Sequence, residues 1–457
     1  MIDTLNDRRA KRAIAFVTMG CAKNEVDSER MQRKLRAAGY TLTDEHVRAD
    51  AIIINTCSFI QSATEESLEA IFDAAGLPNV SKGNALLIVA GCMPARYGDD
   101  LASELTEAHA FVPCSSEDDI VSILDAQFEK IEAAGDSGVS GLPSNVSCQE
   151  CTEEAGEDNA GASKVSAYVK ISDGCDRFCS YCTIPYIRGR YHSFSYEQVY
   201  ADVSEQVSCG VREIVLIAQD TGRYGNDFEN PTTLAWLLSK LAEAYPQIWF
   251  RVMYIQPEGI TDELLEAVAT HDNICSYFDI PLQHVDSRLL RAMHRKGSRA
   301  EFSELCARIK RRIPDASLRT TLIAGFPGET DEQFEELCDF VEDGFFDYVG
   351  VFAYSREEGT RAYDLENQLD DEVKAARAQR LRDVADAACT PNISARIGQV
   401  MQVLIEGYEE DGQVFGRAMC QAPEVDGVTY VNEGHIGEVV RVSISDTLLY
   451  EMEGELL

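Results

Sequence analysis

Between residues 165 and 354, short apolar segments alternate with amphipathic segments of helical period. Six apolar segments have the length of strands: 166–171, 213–218, 250–255, 277–282, 319–324 and 348–354. The helical segments that separate them are 196–208, 232–244, 261–270, 299–312 and 331–342. Strands that alternate with helices form parallel sheets, and six such units suit a partial (β/α)6 barrel better than a closed barrel of eight. In such barrels the functional residues lie at the carboxyl ends of the strands.

Two other regions of the chain have a different pattern. In the N-terminal region, strand-like segments at 13–18, 51–55 and 86–90 precede loops that each hold a cysteine, and helix-like segments follow at 25–38 and 64–75. Beyond Pro391 the apolar period becomes two, with short strands at 402–406, 413–419, 428–431, 438–444 and 448–453. This C-terminal pattern is typical of a small β-barrel of the oligonucleotide-binding type.

The sequence therefore predicts an α/β chain of three domains. They are an N-terminal α/β parallel-sheet domain at 12–130, a central partial (β/α)6 barrel at 165–390 and a small C-terminal β-barrel at 391–457. Residues 131–164 are rich in Gly, Ser, Ala and acidic residues without periodicity, which predicts an acidic flexible linker.

Three cysteines follow the first strand of the predicted barrel, in the run Cys175-Asp-Arg-Phe-Cys179-Ser-Tyr-Cys182. Thiolates are ligands of iron–sulfur clusters, and three of them leave the fourth iron of a [4Fe–4S] cluster open to a small molecule. A structural zinc site would need a fourth ligand, which this loop does not supply. The CxxxCxxC spacing, with Tyr181 before its third cysteine, resembles the signature of the radical S-adenosylmethionine (SAM) superfamily. The resemblance implies that SAM binds the open iron and is cleaved to methionine and a 5′-deoxyadenosyl radical.

A second set of three cysteines, Cys21, Cys57 and Cys92, follows the strands of the N-terminal region. Because parallel strands end at one edge of a sheet, we expect these thiols to converge there. The alternative is that they are three small buried side chains, which is a common role of free cysteine.

With both cysteine sets, the chain resembles the methylthiotransferases, a radical SAM family, over nearly its whole length. The resemblance implies a second, auxiliary [4Fe–4S] cluster on Cys21, Cys57 and Cys92 that carries the sulfur, and a C-terminal TRAM domain. It also implies that one SAM methylates this sulfur, while a second SAM supplies the radical that removes hydrogen from the substrate carbon. No catalytic residue is assigned beyond the six cluster ligands, and an electron donor is an expected partner.

Several segments resemble the branch of this family that modifies the β-carbon of an aspartate in the twelfth ribosomal protein of the small subunit. They are residues 23–29, 216–221, 224–225 and 279–284. The branch that modifies adenosine in transfer RNA typically has Gln-Ser-Gly where this chain has Gln283-His284-Val285. Residues 393–457 hold 12 Asp/Glu and three Arg, which suits a basic ribosomal protein better than RNA. The transfer-RNA enzyme is the alternative, and a non-catalytic iron–sulfur scaffold that binds ribosomes is a third interpretation.

Further residues are candidates for a SAM or substrate pocket: Tyr181, Arg188, Gln219, Asp220, Gln283, His284, Gly325 and Glu329. For two of them a structural role is an equally good interpretation: a helix cap for Asp220 and a salt bridge for Arg188. For His284, a satisfied hydrogen-bonded histidine is a slightly better interpretation than a substrate contact. The run Gly325-Phe-Pro-Gly-Glu329 resembles the turn that supports the adenosine of SAM in radical SAM proteins, where glycine permits close backbone approach.

The composition indicates the compartment and the kind of partner that we expect for the protein. A formal charge of −37 repels phosphate backbones at long range and favours basic protein partners. No apolar run approaches the roughly 20 residues of a membrane span, and the polar N-terminus lacks a secretory core, so we expect a cytoplasmic monomer that does not enter a membrane. Fifteen cysteines in a reducing compartment argue for metal ligands rather than disulfides. Cys148 and Cys151 are expected to be an exposed pair in the linker, and Cys114 and the remaining cysteines are expected to be packing residues.

Overall fold

A computed structural model describes residues 9–135 and 164–457. The described residues form two compact units, the first made of 9–135 with 183–189 and the second of 164–182 with 190–457. Cys148 and Cys151, and most of the predicted linker, lie outside the described residues. No helix among the described residues is both long enough and apolar enough to cross a membrane.

The N-terminal unit is built on a five-stranded parallel sheet in the order β2-β1-β3-β4-β5. Its elements in chain order are β1 Ala13–Thr18, α1 Ala22–Ala37, β2 Thr41–Leu42, β3 Ala51–Thr56, α2 Gln61–Gly76, α3 Pro78–Ser81, β4 Leu86–Gly91, α4 Cys92–Glu104, β5 Ala110–Pro113 and α5 Ile120–Gly135. The three predicted strands are confirmed, whereas β2 and β5 were not predicted because they are only two and four residues long. Helix α5 extends five residues into the segment that was predicted as a linker from residue 131.

Apolar side chains cover both faces of this sheet, which explains why β3 and β4 are buried at every position. On one face, Ile53 packs with Leu35 of α1 and Leu124 of α5. On the other face, Ile52 packs with Ile71 of α2 and with residues of α4. A doubly covered parallel sheet needs apolar residues in continuous runs, and the run Ala-Ile-Ile-Ile of β3 has this character.

The second unit begins with the predicted barrel. Its elements are β6 Ser166–Lys170, β7 Ser172–Asp173, α6 Ile184–Ile187 (within the segment that belongs to the first unit), β8 His192–Ser193, α7 Tyr196–Ser208, β9 Glu213–Ile217, α8 Leu234–Ala244, β10 Trp249–Val252, α9 Asp262–Thr270, β11 Tyr277–Gln283, α10 Ser287–Ala292, α11 Arg299–Arg312, β12 Ser317–Ala324, α12 Asp331–Glu342, β13 Tyr348–Ala353 and α13 Asp371–Ser394. All six predicted strands are confirmed. They form two parallel three-stranded sheets, β6-β9-β10 and β11-β12-β13, and a single bridge between Phe250 and Ile274 joins β10 to the segment before β11.

The C-terminal residues form a closed barrel of five strands in the order β14-β15-β16-β18-β17, as the sequence predicts. The strands are β14 Val400–Tyr408, β15 Val414–Ala418, β16 Thr429–Val431, β17 Val439–Leu448 and β18 Glu451–Leu456. Helix α13, which was not predicted, continues past Pro391 to Ser394, so the predicted domain start at 391 falls within its last turn.

The closed barrel packs on the amino ends of the (β/α)6 strands through a buried charge network. Glu213, the first residue of β9, is fully buried and accepts hydrogen bonds from Arg251 Nε at 2.8 Å, from Ser166 Oγ at 2.8 Å and from Arg417 of β15. Burial by itself raises the pKa of Glu213, but Arg417 and Arg251 overcome this and lower its pKa to about 2. This network lies at the end of the barrel opposite to the loop that carries the CxxxCxxC cysteines, because that loop follows the carboxyl end of β6.

Candidate functional site

The carboxyl edge of the N-terminal sheet gathers the cysteines of that unit. The strand register places Thr56, Gly91 and Pro113 side by side at the ends of β3, β4 and β5. Cys57 and Cys92 are the next residues along β3 and β4, so they continue this row. Cys21 caps the amino end of α1 after β1.

Gly20 brings the Cys21 loop against Cys57. Its φ is +90°, and a Cβ on Gly20 would lie 2.5 Å from Cys57 Cβ and 2.9 Å from Cys57 Sγ. Only glycine permits both this backbone conformation and this approach. Burial raises the pKa of the Cys57 thiol to about 11, and the neighbouring charges of Cys92 and Cys21 act in the same direction. Cys57 therefore lies between the other two thiols that the sequence singled out, with the Cys21 loop on one side and Cys92 in the neighbouring strand position on the other.

Cys114, which the sequence analysis predicted to be a packing residue, lies on the same edge of the sheet as Cys57 and Cys92. It follows Pro113 directly, which puts it in the same row as Cys57 and Cys92. The neighbouring Cys114 thiol and the charge of Arg188 lower the pKa of Cys92 to about 6, against the opposing effect of burial. The one available signal for Cys114 was its position after a strand, and β5 was too short to be recognised.

Arg188 connects the polar residues of this edge. Its guanidinium, only 2% exposed, pairs with Asp27 at 2.8 Å, donates to Asn24 Oδ1 at 2.6 Å and lies 3.9 Å from Cys92 Sγ. Asn24 is itself held by donating to the carbonyls of Met19 and Thr56. Arg188 thus forms a buried salt bridge, which was the alternative to binding a SAM or substrate carboxylate. Its Nη2 group faces the sulfur of Cys92.

The donor chemistry of this edge fits an iron–sulfur cluster better than a single metal ion. Among the described residues, no group of three or more His, Cys, Asp or Glu side chains stands close enough to hold one ion. In a [4Fe–4S] cluster each cysteine binds a different iron, so the sulfurs stand further apart than the ligands of one ion. Three thiols at one sheet edge, one of them with a pKa of about 6, are the donor set that such a cluster uses, since thiolate is the form that binds metal.

The CxxxCxxC loop forms the corresponding site of the second unit. Gly174 and Phe178 have φ values of +72° and +49°, which turn the chain back on itself around the cysteines. Cys175 is buried, whereas Cys179 and Cys182 are partly exposed. Burial raises the pKa of Cys175, and the charge of Cys179 adds to this. The loop therefore offers three neighbouring thiols, two of them accessible from outside.

Gln219 and Asp220 hold this loop from the end of β9. Gln219 Nε2 donates to Asp173 Oδ1 at 3.0 Å, and Asp220 accepts from Arg177 Nε at 2.6 Å. Asp220 makes no side-chain bond that caps the following short helix. Within the described part of the chain, Gln219 Oε1 and Asp220 Oδ1 are buried acceptors without a hydrogen-bond partner. Two orphaned acceptors beside the cysteine loop fit a ligand rich in N–H donors, such as the amino group of SAM.

Arg295, which no sequence pattern indicated, also contacts this loop. Its buried guanidinium donates to Gln256 Oε1 at 2.6 Å and to the Pro281 carbonyl at 2.5 Å, and Nη1 lies 4.0 Å from Cys179 Sγ. Tyr181 packs against the apolar core of the barrel, and its burial, together with the charge of the neighbouring Cys179, raises its pKa.

The candidate pocket residues that follow β11 and β12 interact with other groups of the protein itself. His284 is fully buried: Nδ1 accepts from the Asp286 N–H at 3.0 Å, and Nε2 lies 3.5 Å from Glu329 without hydrogen-bond geometry. Glu329 accepts from the Gly325 N–H at 3.0 Å and from Arg377 at 2.7 Å. Gln283 ends β11 with a φ of +74°. The carboxylate of Glu329 thus stabilises its own turn.

Gly325 is required by a neighbouring side chain. With a φ of +80°, a Cβ at this position would lie 2.5 Å from Lys374 Cγ of α13. Glycine at this position therefore lets the turn approach helix α13 closely.

Comparison with known proteins matches three family models to the chain. Residues 13–113 match Uncharacterized protein family UPF0004, residues 169–341 the Radical SAM superfamily and residues 397–457 the TRAM domain. Ribosomal protein uS12 methylthiotransferase RimO of Syntrophotalea carbinolica is 40% identical over 457 residues, covering 99% of this chain and 98% of the relative. The RimO protein of Clostridioides difficile is 40% identical over 97% of this chain and 98% of its own length. The chain belongs to the RimO-type radical SAM methylthiotransferases.

The fold agrees with a solved radical SAM structure. The radical SAM methyltransferase TsrM from Kitasatospora setae, with cobalamin and a [4Fe–4S] cluster bound, superposes with a TM-score of 0.54 at 13% identity, covering 75% of this chain and 73% of TsrM. As a radical SAM methylthiotransferase, the protein is an enzyme that uses a [4Fe–4S] cluster and SAM. The predicted family, fold class and enzyme class are confirmed.

Proposed function

We propose that this enzyme methylthiolates the β-carbon of an aspartate in ribosomal protein uS12. The observation that carries the proposal is the full-length similarity to relatives named for this activity, which spans both cysteine sets and the TRAM domain. The run Gln283-His284-Val285, at the position where the transfer-RNA branch typically has Gln-Ser-Gly, supports the same substrate class.

The proposal assigns a cluster to each cysteine set. Cys175, Cys179 and Cys182 would hold the radical SAM cluster, and Cys21, Cys57 and Cys92 the auxiliary cluster. When bound, the two clusters and two SAM molecules supply the deoxyadenosyl radical and the methylthio group. The convergence of Cys21, Cys57 and Cys92 at one sheet edge supports the second cluster.

The protein side chains position these groups. Gln219 and Asp220 fix the radical SAM loop through Asp173 and Arg177, and their unpaired oxygens offer acceptors to SAM. Asn24 and Arg188 fix the Cys92 side of the auxiliary site. In the low-dielectric interior these bonds hold the sulfurs in place before any ligand arrives.

The surface of the C-terminal barrel supports a basic protein substrate. Two of its three arginines, Arg396 and Arg417, are buried, which leaves Arg441 as the one exposed arginine of residues 393–457. Nine acidic residues of the same region are exposed: Glu409, Glu410, Asp411, Glu424, Glu433, Glu438, Asp446, Glu453 and Glu455. This surface complements a basic ribosomal protein and repels the phosphates of RNA.

Anaerobic turnover with SAM and reductant tests the proposal. The reconstituted enzyme is offered a uS12 loop peptide, the same peptide with its target aspartate replaced by alanine, and bulk transfer RNA, with products read by mass spectrometry. We expect a methylthio gain on the unaltered peptide alone. A gain on transfer RNA alone would refute the substrate, and an absence of SAM cleavage would indicate the non-catalytic scaffold.

Two variants separate the roles of the clusters. Cys175→Ala should abolish SAM cleavage to 5′-deoxyadenosine, whereas Cys57→Ala should retain this cleavage and lose the methylthio product. Methylthio product from Cys57→Ala would contradict the auxiliary cluster.

A further inference from the structure

A basic segment, residues 287–300, follows strand β11 of the second unit. It holds five Lys/Arg and one His but no Asp or Glu, in a chain with 78 acidic and 41 basic residues. The side chains of Arg288, Arg291, His294 and Lys296 are exposed. Among the described residues, Arg288, Arg291 and Lys296 have no ion-pair partner, so the protein itself does not neutralise their charges.

Direct contacts connect the basic segment to the CxxxCxxC loop. His294 Nδ1 lies 3.2 Å from the carbonyl oxygen of Phe178, and Nη1 of the next residue, Arg295, lies 4.0 Å from Cys179 Sγ. Arg361, which is also exposed, lies on the other side of His294, with 3.3 Å between its Nη1 and His294 Nδ1. Positive charge is therefore exposed directly beside the loop that would hold the radical SAM cluster.

The position of this charge favours one kind of electron carrier. In the proposed function, cleavage of SAM takes one electron from the cluster, and a carrier has to replace it. The net charge of −37 repels an acidic carrier as a whole, but exposed basic side chains attract it locally and orient it toward the loop. A basic carrier would instead be drawn to the acidic surface of the C-terminal barrel, at the other end of the (β/α)6 barrel.

We propose that the basic segment, together with Arg361, is the docking surface for a small acidic protein that delivers electrons to the radical SAM cluster. The inference rests on the proposed function, because it requires a cluster on Cys175, Cys179 and Cys182. One electron leaves the reduced carrier and enters the cluster, so the carrier is oxidised and the cluster reduced by one electron each. Electron-transfer complexes are weak and bury little surface, so a few exposed charges are enough to steer them.

Binding of a bacterial flavodoxin, a small acidic flavoprotein, to the full-length reconstituted enzyme tests the surface. Fluorescence anisotropy of labelled flavodoxin is measured at low salt with Arg288→Glu/Arg291→Glu and with Arg212→Glu/Arg441→Glu. The second variant is the control: it has the same net charge, but Arg212 precedes β9 at the amino end of the barrel and Arg441 lies on the C-terminal barrel, and both are exposed. We expect the affinity to fall about tenfold more in Arg288→Glu/Arg291→Glu than in the control. This difference should disappear near 1 M salt, where the Debye length is about 3 Å.

SAM cleavage separates docking from chemistry. With reduced flavodoxin below saturation, Arg288→Glu/Arg291→Glu should form 5′-deoxyadenosine about tenfold more slowly than the unaltered enzyme, because fewer carriers are bound. With dithionite, a small reductant that needs no docking surface, the two proteins should react at the same rate.

Three results would overturn the proposal. Equal affinities of the two double variants for flavodoxin would show that only the net charge matters. Slower cleavage by Arg288→Glu/Arg291→Glu with dithionite would show that these arginines serve the reaction itself. Tighter binding of an RNA oligonucleotide than of flavodoxin, lost in the same variant, would assign the surface to RNA. Cleavage by the unaltered enzyme with dithionite tests the proposed function alone, and binding is measured independently of it, so the two failures are distinguishable.

Discussion

Replacing Glu213 by glutamine tests whether the buried charge network holds the C-terminal barrel on the (β/α)6 barrel. The substitution keeps the shape of the side chain and removes its charge. It leaves two guanidinium groups, Arg251 at 0% exposure and Arg417 at 2%, without their shared carboxylate, and only Arg417 keeps another carboxylate partner, Glu406 at 2.6 Å. Buried charges that lose a partner are costly because no water replaces it.

Two independent routes give the magnitude. Breaking a buried ion pair by removing one partner costs roughly 3–5 kcal/mol. The depression of the Glu213 pKa from 4.5 to about 2 corresponds to about 3 kcal/mol at 1.36 kcal/mol per pKa unit. Glu213 is completely buried, so solvent screening does not reduce this figure. Arg251 and Ser166 belong to the same barrel as Glu213, so we expect Glu213→Gln to lower the free energy of opening this interface by at most about 3 kcal/mol.

Amide hydrogen exchange measures this opening without requiring the whole chain to unfold in one step. Amides of β14, β15 and β9 should exchange faster in Glu213→Gln at pH 7, by up to about 100-fold, because each 1.4 kcal/mol is a factor of ten. The folded-state pKa is depressed, so the contribution of Glu213 is complete above about pH 4.5 and is lost as the pH falls toward 2. The difference between the two proteins should therefore shrink from pH 7 to pH 3. Exposed Glu229→Gln is the control, and a change below about twofold at pH 7 in Glu213→Gln would refute the reasoning.

Three further predictions concern the sites. Cys57→Ala and Cys175→Ala should each lower bound iron by about half in iron analysis of the reconstituted protein, and complete loss in either would contradict two separate clusters. Gly325→Ala should destabilise the protein by about 2 kcal/mol in thermal denaturation. The control is Gly328→Ala, which should cost less, because Gly328 shares the positive φ but a Cβ added there would meet no atom within 4 Å. Equal losses of stability in the two variants would show that the contact with Lys374 is unimportant. Asp220→Asn should speed loss of the radical SAM cluster upon dilution about tenfold, since a charge-assisted bond to Arg177 is worth roughly 1.5–3 kcal/mol; unchanged cluster absorbance over time would exclude this role.

The fold was predictable where strands were long and apolar. The run Ala-Ile-Ile-Ile-Asn of β3 and the six barrel strands stood out, because burial on both faces of a parallel sheet requires continuous apolar residues. Strand β5 did not stand out, since it has four residues and ends in Pro113. Missing β5 is the reason why the sequence analysis did not place Cys114 on the same sheet edge as Cys92.

The sequence predicted those parts of the candidate site whose positions follow from the order and direction of the strands. The convergence of Cys21, Cys57 and Cys92 follows from the rule that parallel strands end at one edge. The partners of Arg188 do not follow from any rule of this kind, because Asp27 and Asn24 are more than 160 positions away in the chain. The same holds for Arg295, whose partners lie on three separate loops or strands. Tertiary contacts of long polar side chains carry no local sequence pattern.

The location of the closed barrel limits what it can do in the proposed reaction. Its buried network contacts the amino ends of the barrel strands at Ser166, Glu213 and Arg251, whereas the CxxxCxxC loop follows the carboxyl end of β6. With a rise of about 3.3 Å per residue, the five residues of β6 alone separate these two ends by roughly 17 Å. A side chain of the closed barrel therefore does not reach a carbon that reacts at the cysteine loop. In the proposed reaction its acidic surface would hold only a distant part of a folded basic substrate, equally in the ground state and the transition state. Binding of this uniform kind lowers KM and leaves kcat unchanged, so the acidic surface should contribute to the choice of substrate but not to the rate of the chemical step.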